Sequence, residues 1–210
     1  MKSILYITLC FISFSAVAQN QYETGMQKAL KLWKAEKPQE AVQLFERIAS
    51  AETAEWLPNF YASQILVFSG FNEKENTVFT ATMAKALTLL NMAKTNTGAL
   101  PNAEIMVLEA QYYTAWVAFD GLTYGMQYAG KVAALYQKAA AIAPNNPRVV
   151  LGKAEWDIGS AKFFGGDVSA YCNEVTRAIG LFETFTPESD LHPSGGQEHA
   201  MQVQQQNCGK

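Results

Sequence analysis

Apolar and polar positions alternate along this chain with the period of helices, and one arrangement of them returns four times. In Ala41–Ile48 a small, a large and a medium apolar residue (Ala41, Phe45 and Ile48) stand at offsets 0, 4 and 7. The same offsets hold Ala86, Leu90 and Ala93, then Val132, Tyr136 and Ala139, and finally Tyr171, Val175 and Ala178. Positions four and seven apart share one face of a helix. The small residue lets a neighbouring helix come close, and the large one fills the space beside it. The last members of the trios are 45, 46 and 39 residues apart, a spacing of whole hairpins rather than of single helices. Each of these helices has an apolar partner upstream: Tyr22–Glu36, Leu57–Gly70, Ala103–Phe119 and Pro147–Lys162. These carry the small residues Ala29, Ala62, Ala110 and Gly152. The pattern predicts an all-α chain of about four antiparallel hairpins, near residues 22–50, 57–95, 103–142 and 147–185.

The polar breaks between these runs carry helix signals. Pro144 cannot continue a helix, and Asn146-Pro147 restarts one, with Asn as N-cap and Pro at the first helical position. Asn102 after Pro101 caps in the same way. Gly165-Gly166 ends a helix, and Asp167 caps the next. Asp120-Gly121-Leu122-Thr123-Tyr124-Gly125 reads as a turn, or as a flexible lip over a groove. After a loop from Pro187 to Gly196, Glu198–Gln206 forms a short helix in the C-terminal tail, residues 186–210.

The trios Ala41/Phe45, Ala86/Leu90/Ala93 and Tyr136/Ala139 followed by Pro144, together with Leu151-Gly152, resemble the tetratricopeptide repeat family over most of Tyr22–Phe185. That resemblance implies a right-handed superhelical stack of hairpins over residues 19–185, with a concave surface used for binding and no catalysis. The copies depart from the family in being longer than its 34-residue period, in having Gly25 where its tryptophan stands, and in having Tyr171 at a small-residue position. The Phe163-Phe164-Gly165-Gly166-Asp167 turn also looks like that of helical-repeat periplasmic components associated with substrate-binding transporters.

Composition changes this picture in three ways. Residues 1–18 read as an export signal: Lys2, an apolar run Ile4–Phe14, then Ala16-Val17-Ala18 before Gln19, with the cut expected after Ala18. The apolar stretch Ile4–Ala18 falls short of the ~20 residues a spanning helix needs. A periplasmic or secreted protein that does not span the membrane after cleavage is therefore expected. Charged residues make up 17% of the chain, so many helix faces must be packed. The net charge of −3 offers no basic field for nucleic acid. Cys10 leaves with the signal, and Cys172 and Cys208 then form a natural disulfide pair in an exported chain. That pair would pin the C-terminal helix across the last hairpin as a cap over its otherwise uncovered face.

The search for chemistry yields little. His192 and His199 read as solvated tail residues rather than metal ligands, and no metal or cofactor is expected. No serine or cysteine nucleophile has its partners, and Gly165-Gly166 is no phosphate loop. The resemblance implies that the first helix of each hairpin faces the concave side. Groove positions then fall one, four and five residues after each small one: Leu30, Trp33, Lys34; Ser63, Leu66, Val67; Gln111, Thr114, Ala115; and Lys153, Trp156, Asp157. The expectation is a non-catalytic scaffold that binds a protein or peptide in this groove. The alternative is a periplasmic, transport-associated small-ligand carrier with an aromatic pocket. An enzyme would require Glu109, Asp120, Glu155 and Asp157 to converge.

Overall fold

The computed structural model describes residues 20–209. The expected export signal over 1–18 lies outside them. Among the described residues there is no strand, and nine α-helices follow one another. They are α1 (20–34), α2 (Pro38–Ala51), α3 (Leu57–Gly70), α4 (Asn76–Asn96), α5 (Ala103–Phe119), α6 (Gly121–Ile142), α7 (Pro147–Phe163), α8 (Cys172–Thr184) and α9 (Gln197–Cys208). A 3-10 turn, Ser169–Tyr171, leads into α8. No helix among them is long and apolar enough to cross a membrane.

Capping explains most of the boundaries. The Asn102 side chain accepts from the backbone N–H groups of Glu104 and Ile105, and Asn146 accepts from that of Arg148. Glu75 does the same for Thr77 and Val78, which holds its carboxyl below the usual carboxylate range. Asp120 accepts from the Thr123 N–H at 3.1 Å and the Thr123 hydroxyl at 2.5 Å. These bonds start α6 at Gly121, so residues 121–125 are not the loop or lip expected above. They form the opening turn of a helix, and Asp120 alone separates α5 from α6. Gly165, at φ +70°, reverses the chain after α7, and the Gly166 N–H closes back on the Ala161 carbonyl at 2.7 Å.

The helices pair in chain order as α3 with α4, α5 with α6 and α7 with α8, and α3, α5 and α7 also pack side by side. The recurring small-to-large seam is a physical contact. Tyr136 of α6 lies so close to Gly152 of α7 that a Cβ there would stand 2.8 Å from the ring. Ala41, Phe45, Ala86, Leu90, Val132, Ala139, Val175 and Ala178 are all buried. One apolar cluster runs from Tyr22 and Met26 through Phe45, Phe79 and Leu90 to Tyr136 and Val149. A second joins Ile158, Val175 and Phe182 to Ala200 and Val203 of α9.

The C-terminal part carries the disulfide Cys172–Cys208, with Cα atoms 5.6 Å apart, which holds the end of α9 against the start of α8. Between α8 and α9, residues 185–196 form an irregular strap with a turn at 189–192. It does not remain beside the last hairpin. Leu191 is buried in the main cluster, far from its sequence neighbours, and its carbonyl accepts from the Tyr61 hydroxyl of α3 at 2.8 Å.

Candidate functional site

The strap and the first helices of the hairpins line a partly open cavity of about 430 Å³. Leu30, Trp33 and Lys34 reach it from α1, and Phe60, Tyr61, Gln64 and Phe68 from α3. From α5 come Glu104, Leu108 and Gln111; from α7 come Arg148, Gly152 and Glu155. On both α5 and α7 these positions advance by four and then three residues, so one face of each helix is presented along the cavity. Asp190, His192 and Gly195 of the strap and His199 of α9 form the remaining side.

Aromatic rings supply much of the wall. The Trp33 ring lies 6.1 Å from that of Tyr61 and 6.2 Å from that of Phe68, and Phe60 meets Tyr61 edge-on at 5.3 Å. Such walls suit a ligand with an extended apolar face. At one end Arg148 grips Glu104 in a two-pronged ion pair: Nη2 to Oε1 at 2.6 Å and Nε to Oε2 at 2.9 Å. Asn146 donates a further bond to Glu104 at 2.6 Å. The guanidinium also stacks over the Phe185 ring of the strap at 4.5 Å. Burial pushes the Tyr61 hydroxyl well above its ordinary pKa, with Arg148 opposing, so Tyr61 stays a neutral donor.

Of the groove positions expected from the sequence, Trp33, Lys34 and Gln111, with Leu30, line this cavity. Ser63 does not: it is fully buried, and its hydroxyl donates to the Ala86 carbonyl of α4 at 2.9 Å. Val67 and Ala115 are buried in the same core, and Leu66 packs against it. Thr114 turns back onto the Ala110 carbonyl of its own helix. Lys153 and Asp157 pair with each other at 2.6 Å, and Trp156 packs on the main core. Each helix is rotated about its axis by its own neighbours, so one offset rule cannot serve all four.

The histidines are not free in solvent. His192 is bonded to Ser189 at 2.8 Å, lies 3.3 Å from Glu188 and meets the Trp56 ring edge-on. His199 meets Glu155 at 2.7 Å, and this bond raises its pKa although burial opposes it. Among the described residues no three His, Cys, Asp or Glu side chains are grouped to hold a metal ion. Glu109 pairs with Lys94, Asp120 caps α6 and Asp157 pairs with Lys153, so the four carboxylates weighed for an enzyme have separate partners.

No protein-family model matches the chain, and no curated protein sequence matches it. Among solved structures it is similar to the HusA haemophore from Porphyromonas gingivalis. The TM-score is 0.75 at 19% identity, over 89% of this chain and 92% of that one. At that identity the likeness is one of fold, and the fold shared is an all-helical one.

Proposed function

We propose that this protein is an exported, non-catalytic carrier that holds a flat, mainly apolar molecule between its first-of-hairpin helices and its C-terminal strap. The stack would be of the tetratricopeptide-like kind, and the protein would act in the periplasm or outside the cell. The observation that carries this reading is the aromatic cavity covered by the chain's own tail. A compact ligand fits such a covered space better than an extended peptide running along an open groove. The fold shared with a haemophore makes a tetrapyrrole the ligand class to test first. Titration with haemin tests the reading. Binding at one equivalent is expected, with quenching of tryptophan fluorescence that is reduced in Trp33→Phe. An unchanged emission and an unchanged melting temperature at saturating haemin would remove it.

A protein partner, the alternative role for such a stack, is supported by a different surface. Leu122, Met126, Phe163 and Phe164 are 83%, 95%, 60% and 83% exposed, and Phe163 leans on Gly121, so they gather at one edge. A photo-crosslinking residue at position 164 should yield an adduct of defined mass in the producing cell, and one at exposed Arg47 should not. Equal yields at the two positions would count against a partner at this edge.

A further inference from the structure

The polar groups of the cavity wall are not all satisfied. Arg148 is only 10% exposed along its side chain and uses Nε and Nη2 on Glu104, yet its Nη1 is buried without a hydrogen-bond partner. Gln111, seven residues along α5 from Glu104, keeps a buried amide oxygen unpaired in the same wall. Buried polar atoms in folded proteins are almost always paired, and an unpaired donor on a guanidinium is among the more costly exceptions. Nearby groups cannot fill the need. Glu104 is already held by Arg148 and Asn146, Glu155 is taken by His199, and Asp190, which also lines the cavity, makes no bond to Nη1. The strap itself places the Phe185 ring over the guanidinium, a contact that offers no lone pair.

Resting on the carrier reading above, we propose that the ligand is an acid, and that one of its carboxylates docks on Arg148 Nη1 while its apolar face lies on Trp33, Tyr61 and Phe68. Glu104 holds the guanidinium plane in place, with the Phe185 ring of the strap stacked over its face. Lys34 lies on the same cavity without an ion-pair partner among the described residues, and receives a second acidic group if the ligand has one. The cavity therefore selects flat carboxylic acids over their neutral esters. A charge-assisted bond to a buried guanidinium is what sets the margin.

The test compares protoporphyrin IX with its dimethyl ester on the disulfide-intact protein, by fluorescence titration. The acid should bind about tenfold more tightly or better, as expected for one charge-assisted bond. In a Glu104→Gln/Arg148→Gln variant, which removes both charges together, the preference for the acid should fall about tenfold, to what Lys34 alone sustains. Equal affinity of acid and ester for the unaltered protein overturns the carboxylate site and leaves the carrier reading standing. A preference for the acid that is undiminished in the double variant also overturns it. Binding of neither form overturns both. Should the double variant fail to fold by circular dichroism, the acid-to-ester ratio on the unaltered protein decides alone.

Discussion

From α1 to the start of α7 one continuous apolar cluster runs through the molecule, with Phe45, Phe60, Phe79, Met83 and Leu90 fully enclosed. α7, α8 and α9 share a second and much smaller one around Ile158, Val175 and Phe182. The longer helical part is held mainly by burial. The short C-terminal unit has too few large side chains for that, and there the chain adds the Cys172–Cys208 bond across a separation of 36 residues. The cavity lies where these two regimes meet: α1, α3 and α5 come from the first, α9 from the second, and the strap joins them through Leu191. The cavity on this border is walled by helices on most sides and by a strap pinned at Leu191 on the remaining one.

The largest effect should come from breaking the first regime. Phe79 is fully buried, stacked on Phe119 with ring centres 4.1 Å apart and edge-on to Trp116. Phe79→Ala should cost about 3–5 kcal/mol in chemical denaturation. A loss below 1 kcal/mol would mean that the stack is not one cooperative core. Second in size, Cys172→Ser/Cys208→Ser should cost roughly 3–4 kcal/mol by chain entropy, concentrated at one end. Hydrogen exchange should quicken in α8, α9 and the strap while α3–α5 keep their protection. Uniform quickening would erase the distinction between the two regions.

A smaller effect belongs to the seam between them. Gly152→Val would press a side chain into Tyr136 and should cost about 1–3 kcal/mol, whereas the same change at Gly159, which meets nothing within 4 Å, should cost less. The smallest effect is electrostatic. His199 on α9 has a raised pKa because it is bonded to Glu155 on α7. Its contribution to stability is fully present below the ordinary histidine value of 6.5 and is lost as pH rises through the raised pKa. An NMR titration of His199 should return to the ordinary range in Glu155→Gln. An unchanged midpoint would mean that the pair does not hold α9 to α7.

The rods and their ends were legible because each leaves a local mark. Pro144 and Asn146-Pro147 impose backbone geometry wherever they stand, and the small-to-large trios record faces that must be covered. The disulfide was legible from cysteine arithmetic in an exported chain. The start of α6 was not, because two glycines suggested a loop while the Asp120–Thr123 bonds make a cap strong enough to begin a helix among them. The rotation of each helix about its own axis was also hidden. Counting from Ala29 leads to the cavity, but counting from Ala62 leads to Ser63, which faces α4 instead. The strap had little signal: Leu191 is the one large aliphatic residue among the polar and proline positions of 186–196, and only the fold reveals the pocket it fills.

The central claim is that the covered cavity is the place where this protein holds its ligand. Hydrogen exchange with and without saturating protoporphyrin IX tests it most directly. The account predicts added protection in the strap over 185–196 and in the cavity-facing helices α3, α5 and α7, with α2 and α4 unchanged. Protection confined to other surfaces, or none despite measured binding, would contradict it.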